Sequence, residues 1–84
     1  MYKVLIMESA RKQIRSLPNN EISVMMDAAR SLAENPRPYQ SKKLVGTIDQ
    51  YRLRKGDYRI LYTIDDRIKE ITIFRVRHRR DAYR

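Results

Sequence analysis

The segment YRLRKGDYRILY, residues 51–62, constrains the fold more than any other part of this chain. Two alternating runs flank Gly56 and Asp57, a pair that suits a tight hairpin turn requiring positive φ. A two-residue turn fixes the pairing register of the strands on either side of it. The sequence therefore predicts an antiparallel hairpin in which Arg54 lies directly opposite Arg59.

This register assigns the two faces of the hairpin. Successive residues of a strand point to opposite faces, so Arg52, Arg54 and Arg59 are predicted to share one face. The other face is predicted to be apolar and to belong to the core, and it carries Leu53, Ile60, Tyr62 and Ile64.

The first half of the chain predicts one strand and two helices. Residues 2–7 form a short apolar run typical of a buried strand, and Ser9 is a reasonable N-cap for a short helix that ends near Pro18. Asn19 or Asn20 then caps a longer helix. The apolar residues of this second helix recur at the helical period and form one stripe, which consists of Ile22, Met25, Met26, Ala29, Leu32 and Ala33.

The second half predicts a loop and three strands. Pro36 and Pro38 end the second helix, because proline lacks an N–H and disfavours the α conformation of the residue before it. Residues 36–49 are predicted to form a connecting loop that carries Lys42 and Lys43. Beyond the hairpin, a turn around residues 65–68 leads to a last strand, residues 70–76, which adds Ile71 and Ile73 to the apolar face.

Together these elements predict one α+β domain, residues 1–84, in the order strand, helix, helix and three strands. We expect a small, predominantly antiparallel sheet with both helices packed on its apolar face. An antiparallel sheet covered on one side leaves its other side open. The three hairpin arginines are predicted to lie on that open face.

Composition limits the cellular location of such a domain and the kinds of site that it can carry. The chain of 84 residues has a net charge of +9 and no cysteine, which excludes a disulfide framework and is compatible with a reducing cytosol. The N-terminal apolar run is too short for a signal peptide, and no segment is long enough to span a membrane. We expect a cytoplasmic protein without a membrane partner. No cluster of residues has metal-ligand spacing, so neither a metal nor another cofactor is expected.

The basic face predicts contact with nucleic acid. Arg54 opposite Arg59 is an unfavourable pair, because like charges facing each other destabilise a sheet. Arginine matches phosphate with two parallel hydrogen bonds, and the tyrosines of the same segment offer stacking faces for unpaired bases. This combination favours single-stranded RNA or DNA over a small anion. The alternative is a basic face that is merely solvated.

Two further residues near the C-terminus are candidates for chemistry. His78 is the only histidine, lies between Arg77 and Arg79, and is the one side chain there that conventionally accepts a proton, although a single histidine is more often structural. Tyr83 is the last aromatic residue, and two interpretations are open: it stacks on a base or donates a proton, or it is frayed or packed at the domain edge.

The motifs GDYRILY and VRHRRDAYR, with a strand, two helices and KKLVG ahead of them, resemble the RelE/ParE superfamily of bacterial toxins. The resemblance covers essentially the full length and is strongest to the RelE branch. It implies a type II toxin-antitoxin toxin that cleaves messenger RNA in the ribosomal decoding site and inhibits translation. It also implies an acidic cognate antitoxin and a toxin-antitoxin hetero-oligomer, with the ribosome and messenger RNA as the other partners.

The resemblance also implies roles for individual residues. Arg52 and Arg54 match the basic positions near the scissile bond, Arg59 matches the arginine that binds the phosphate, and Arg79 matches a residue that stabilises transition-state charge. Tyr83 matches the tyrosine that packs on the base next to the cut. The predicted catalytic set is Arg52, Arg54, Arg59, His78, Arg79 and Tyr83, and the predicted RNA or ribosome contacts are Lys42, Lys43, Arg77 and Arg80.

The implied reaction is attack of a ribose 2′-hydroxyl on the adjacent phosphate, which requires a cationic clamp and a proton acceptor. Arginine is effectively always protonated, so the hairpin arginines are poor bases and this chain departs from members that present lysine there. Either His78 is the base, or the ribosome orients the messenger for attack without a strong base. Two other functions remain open: inhibition of DNA gyrase by a ParE-type toxin, and RNA binding without cleavage.

Overall fold

The computed structural model describes residues 1–80 and confirms the predicted α+β class and the order of the predicted elements. It adds one short strand that was not predicted. The elements in chain order are β1 (Lys3–Ile6), α1 (Glu8–Arg15), α2 (Asn19–Ser31), β2 (Ser41–Lys43), β3 (Gln50–Lys55), β4 (Tyr58–Asp65) and β5 (Glu70–His78).

The five strands form one sheet in the order β1-β5-β4-β3-β2, with β1 parallel to β5 and every other pair antiparallel. The predicted hairpin register is confirmed, because Arg54 pairs with Arg59 and Lys55 with Tyr58. Gly56 has a φ of 58°, the left-handed conformation that the turn requires. Positive φ at the first central residue alone is typical of a type II′ turn.

The segment predicted as a loop between the second helix and the hairpin contains β2, so that part of the prediction is wrong. β2 pairs with β3 and places Lys42 opposite Arg52. Its sequence, Ser-Lys-Lys, has none of the alternating apolar residues by which a strand is recognised. β2 lies at the edge of the sheet, where short strands and lysines are common because they discourage pairing with another chain.

The predicted helix caps are also wrong. Ser9 lies inside α1, whose N-cap is Met7, and neither helix has a side-chain hydrogen bond at its N-cap. Asn19 is the first residue of α2, and Pro18 precedes it as the N-cap. The backbone explains the shift, because the Pro18 carbonyl already accepts hydrogen bonds from the second helix's first turn, including one of 3.0 Å from the amide of Ile22.

The core lies between the helices and one face of the sheet. Tyr62 is fully buried, and its hydroxyl donates a 2.7 Å hydrogen bond to the carbonyl of Pro36. The predicted apolar stripes are confirmed at most positions. The buried hydrophobic side chains among residues 1–80 are Ala10, Ile14, Met25, Ala28, Ala29, Leu32, Leu53, Ile60, Tyr62, Ile64, Ile71, Ile73 and Val76.

A β-bulge interrupts β5. Tyr62 pairs with Ile73 whereas Leu61 pairs with Arg75, which leaves Phe74 as the extra residue. Ile73 and Val76 are therefore both buried although they are three positions apart. Beyond the bulge the alternation is reversed, and the strand continues to residue 78 rather than ending at the predicted residue 76.

Candidate nucleic-acid interface

A row of three arginines crosses the sheet face that points away from the helices, called the open face below. Arg54 pairs with Arg59 across β3 and β4, and Arg59 pairs with Arg77 across β4 and β5. Neighbouring strands lie about 4.8 Å apart, so the three side chains start from adjacent positions on one surface. Such a row carries repulsion that a bound polyanion relieves.

At the hairpin end of this row lies a shallow depression of about 160 Å³. The backbone amide of Arg79 donates a 2.7 Å hydrogen bond to the carbonyl of Asp57, and Arg79 Nε lies 3.8 Å from Asp57 Oδ1. These contacts hold the residue that follows β5 against the hairpin turn. We call the depression the cationic cleft; it is lined by Arg54, Gly56, Asp57, Tyr58, Arg59 and Arg79.

Among residues 1–80, Asp57 is the one acidic residue that lines the cationic cleft. The sequence interpretation assigned it only to the turn, and the Gly-Asp pair gives no signal of a further role. Its carboxylate and the Arg79 guanidinium are both about two-thirds exposed, with side-chain exposures of 64% and 68%, so the attraction between them is weak in water. A phosphate group therefore competes with Asp57 for Arg79 at little cost.

Arg52 and Lys42 extend the basic surface along the open face. They face one another across β3 and β2. Lys42, on the strand that was not predicted, therefore lies on the same face as the predicted arginines. The Nε atom of Arg52 is shielded from solvent and has no hydrogen-bond partner among residues 1–80. The Arg52 guanidinium is thus partly desolvated, and a partly desolvated cation gains more from a nearby anion than a fully hydrated one does.

The structure places His78 on the other face of the sheet. His78 pairs with Tyr58, and the two rings make an edge-to-face contact with centroids 5.2 Å apart. Its Nδ1 accepts a 3.2 Å hydrogen bond from the backbone amide of Arg80. The reversed alternation beyond the bulge is the reason, because it directs Arg77 to the open face and His78 to the helix side.

Three of the other predicted site residues are not on the open face or are not described by the structure. Lys43 pairs with Tyr51 and therefore points away from the face that carries Lys42. Arg80 follows β5 in an exposed turn. Tyr83 lies outside the described residues. The structure thus brings Lys42, Arg52, Arg54, Arg59 and Arg77 to one face, with Arg79 at its end.

A second arginine site lies at the opposite end of the hairpin strands from the Gly56 turn and has a different character. Arg37 donates hydrogen bonds of 3.3 and 2.7 Å to the two carboxylate oxygens of Asp66, and its Nε donates a 3.1 Å bond to the Tyr51 hydroxyl. The Tyr2 hydroxyl donates to the same carboxylate at 2.5 Å. We call these four side chains the Arg37 network, which joins the segment after α2 to β3 and to the β4–β5 turn.

The pKa values of this network follow from its hydrogen bonds. Donation from Arg37, and then from Tyr2, holds the pKa of the Asp66 carboxyl below its ordinary value. The bond to Asp66 raises the pKa of the Tyr2 phenol and, more strongly than the bond to Tyr51, that of the Arg37 guanidinium. Each shift favours the protonation state that completes the network.

Within residues 1–80, no three histidine, aspartate or glutamate side chains are grouped so that they could hold a metal ion. Over the same residues, neither helix is long and apolar enough to cross a membrane.

Comparison with known proteins agrees with this architecture. Residues 4–83 match the family of ParE toxins of type II toxin-antitoxin systems, parDE. The toxin RelG of Mycobacterium tuberculosis is 34% identical over 88 residues, which span 99% of this chain and 97% of that protein.

Two solved toxin-antitoxin complexes contain similar chains. In RelBE2 of Mycobacterium tuberculosis, a chain with 30% identity superposes with a TM-score of 0.81, covering 92% of this chain and 96% of its own length. In the RelE–RelB complex of Pyrococcus horikoshii the identity is 32% and the TM-score 0.83, with coverage of 93% and 94%. The fold, the family match and these relatives agree, and the chain therefore belongs to the RelE/ParE superfamily of type II toxin-antitoxin toxins.

Proposed function

We propose that this protein is an endoribonuclease that cleaves messenger RNA in the decoding site of the ribosome. The observation that carries the proposal is the convergence of Arg54, Arg59 and Arg79 on one shallow cleft at the open face. Such a cleft admits a single strand from solvent and presents fixed positive charge to its backbone. RNA as the polyanion is what the resemblance to the RelE branch implies, and the relatives that carry the names RelG and RelE support that branch.

In the proposed reaction, a ribose 2′-oxygen attacks the adjacent phosphorus while the bond from phosphorus to the 5′-oxygen of the next nucleotide breaks. The products are a 2′,3′-cyclic phosphate and a 5′-hydroxyl, and the 2′-hydroxyl proton is lost as the leaving oxygen gains one. Arg59 binds the phosphate, and Arg54 and Arg79 stabilise the charge that develops on its oxygens. Fixed cations in such a position typically contribute about 100- to 1000-fold each.

The cleft contributes electrostatic stabilisation rather than proton transfer. Arginine does not lose its proton near neutral pH, and His78 lies on the opposite face of the sheet. Of the two predicted routes, the position of His78 favours the one in which the ribosome orients the 2′-oxygen in line with the leaving group. Orientation of this kind can supply a large share of a barrier reduction.

The same proposal includes a cognate acidic antitoxin that forms a hetero-oligomer with this chain. The two solved relatives described above are toxin-antitoxin complexes. With a net charge of +9 and a basic open face, this chain attracts an acidic segment that folds as it binds. We expect the dissociation rate of the complex to rise with salt. A rate that is insensitive to salt would contradict an electrostatic contribution.

The deciding experiment is primer extension on a translated messenger, with ribosomes, without ribosomes, and with the Arg79→Ala protein. We expect cuts within codons only when ribosomes are present. In Arg79→Ala we expect both the cuts and the inhibition of growth to be lost. Arg11→Ala is the matched control, because it removes the same charge from an exposed position of α1. Circular dichroism checks that both variants keep the fold.

Two outcomes contradict the proposal. Full activity of Arg79→Ala would remove this residue from the site. The absence of cuts under every condition would favour the other functions that the sequence left open, and a DNA supercoiling assay would then separate gyrase inhibition from RNA binding without cleavage.

A further inference from the structure

A second depression adjoins the cationic cleft on the open face. We call it the flanking groove. It shares Arg54 with the cleft, and its two other basic residues, Lys42 and Arg52, are the cross-strand pair described above. It is lined by Tyr39, Gln40, Ser41, Lys42, Arg52 and Arg54.

Tyr39 contributes an aromatic ring to this groove, and it is 99% exposed. A single exposed aromatic side chain is ordinary on a protein surface, so exposure alone assigns no role. What distinguishes Tyr39 is its position beside three cations. A planar ring next to fixed positive charge is the arrangement by which single-stranded nucleic acid is bound, with the base on the ring and the phosphate on the cation.

The backbone that carries Tyr39 is held in place. Both the amide and the hydroxyl of Ser41 donate to the carbonyl of Pro38, at 2.9 and 2.7 Å, which closes a turn around Tyr39. The amide of Arg54 donates to the carbonyl of Gln40 at 3.5 Å and ties this turn to β3. The ring is therefore presented from a fixed position, and a base that stacks on it orders little additional chain.

The spacing of the two depressions suits consecutive nucleotides of one strand. Arg52 and Arg54 are two residues apart on β3 and point to the same face, about 7 Å from one another along the strand. This is close to the separation of successive phosphates in an extended single strand. Arg52 supplies the cation for the second phosphate, and its guanidinium is already partly desolvated, since its Nε is shielded and has no hydrogen-bond partner within the described part of the chain.

From this geometry we infer that the flanking groove is a second nucleotide subsite, in which Tyr39 stacks on an unpaired base and Lys42 and Arg52 bind its phosphate. The nucleotide belongs to the same RNA strand and is adjacent to the one in the cationic cleft. The inference rests on the proposed function for the identity of that strand as RNA.

The test measures binding without ribosomes and without cleavage. The probe is a short, fluorescently labelled single-stranded RNA with 2′-O-methyl groups, which blocks attack by the 2′-oxygen, and its binding is followed by fluorescence anisotropy. We expect Tyr39→Leu to weaken binding about 10-fold, because a stacked base is lost. Tyr39→Phe keeps the ring and is expected to restore binding.

Two further variants sharpen the test. Ile48→Ala is the matched control, because Ile48 is 89% exposed, lies between β2 and β3, and lines neither depression. It is expected to bind like the unaltered protein. Lys42→Ala is expected to lower the slope of log affinity against log salt by about 0.7, as for one phosphate contact to a single strand.

Three results overturn the inference. One is an unaltered protein that does not bind the probe at low salt, and a second is Tyr39→Leu binding as tightly as the unaltered protein. The third is a Tyr39→Leu protein that binds the probe normally but binds the ribosome more weakly, which would assign Tyr39 to a contact with ribosomal RNA. Ribosome-dependent cleavage is assayed in parallel. If cleavage is observed but Tyr39→Leu does not weaken binding, the subsite is wrong and the proposed function stands. If binding depends on Tyr39 but no cleavage is observed, the proposed function is wrong and the subsite stands.

Discussion

The cationic cleft and the Arg37 network are both built around arginine, but they place its charge in opposite ways. In the network, Arg37 donates two hydrogen bonds to Asp66 and one to Tyr51. In the cleft, Arg54 faces Arg59 across two strands. The first arrangement holds separate parts of the chain together. The second costs the fold some stability and leaves positive charge where a phosphate can reach it.

This difference shows that arginine content alone does not identify a binding surface. What separates Arg37 from Arg54 is the neighbour that each meets: the Asp66 carboxylate for Arg37, and another cation, Arg59, for Arg54. If the comparison is correct, changes in the cleft reduce activity and preserve or raise stability. Changes in the network reduce stability and leave activity unchanged.

The largest expected effect is at Arg54. Arg54→Thr removes one stabilising charge from the cleft, and we expect ribosome-dependent cleavage to fall about 100-fold or more. The same change relieves the pairing with Arg59, so the free energy of unfolding is expected to rise by about 0.5 kcal/mol. Primer extension and urea unfolding measure the two quantities.

Arg75→Thr is the matched control for Arg54→Thr. Arg75 is an exposed arginine whose strand partner is Leu61, and it does not line the cleft. An equal loss of cleavage in both variants would mean that overall charge, rather than the cleft, is responsible.

The second prediction concerns the stability provided by Tyr62, whose ring stacks on that of Tyr51 in the Arg37 network. Tyr62→Phe deletes the buried hydroxyl that donates to the Pro36 carbonyl, and we expect the free energy of unfolding to fall by about 1–2 kcal/mol while cleavage is retained. Tyr39→Phe removes an exposed hydroxyl and controls for the chemical change. Equal stability of the two variants in urea would contradict the role given to this hydrogen bond.

The third prediction tests the charge pair itself by pH. Because the pKa of Asp66 is lower in the folded protein than in the unfolded chain, protonation favours unfolding. The contribution of this carboxylate is therefore complete above about pH 4, the value for an unfolded chain, and is lost as the pH falls through the folded pKa.

We expect Asp66→Asn to be less stable than the unaltered protein at neutral pH and to approach it under acid conditions. Thermal melting between neutral and acid pH measures the difference, which is small because both partners of the pair are about half exposed to water. A constant difference at every pH would show that the charge of Asp66 makes no contribution.

The smallest effect on cleavage is expected at His78. His78→Asn preserves an acceptor for the amide of Arg80, and the ring that it removes lies on the helix side of the sheet. Removal of a general base typically costs about 100- to 10,000-fold. We expect His78→Asn to stay well below that range in single-turnover cleavage on ribosomes, and a loss within it would restore His78 as the base.

The sequence predicted the hairpin well because its register follows from local chemistry. Gly56 permits the turn, and once the turn has two residues, the face of Arg52, Arg54 and Arg59 follows from a period of two. The apolar stripes of α2 and β4 follow in the same way from one repeating pattern.

Features that depend on distant contacts could not be predicted. β2 has no apolar alternation and exists because β3 offers it a partner. The bulge at Phe74 leaves no mark in the sequence, and strict alternation from Ile71 would have put Val76 and His78 on the open face. Asp57 and Tyr39 reach the basic surface through the hairpin turn and the turn before β2, which pattern reading treats as connections.

The bulge also makes the number of residues in β5 matter more than their identity. Loss or gain of one residue between Ile71 and Arg75 would exchange the two sides of the strand, moving Val76 into water and Arg77 into the core. A substitution of Phe74 changes neither assignment. We therefore expect this strand to accept many substitutions at the bulge but no change in length, so that sequence drift there is tolerated while insertions and deletions are eliminated.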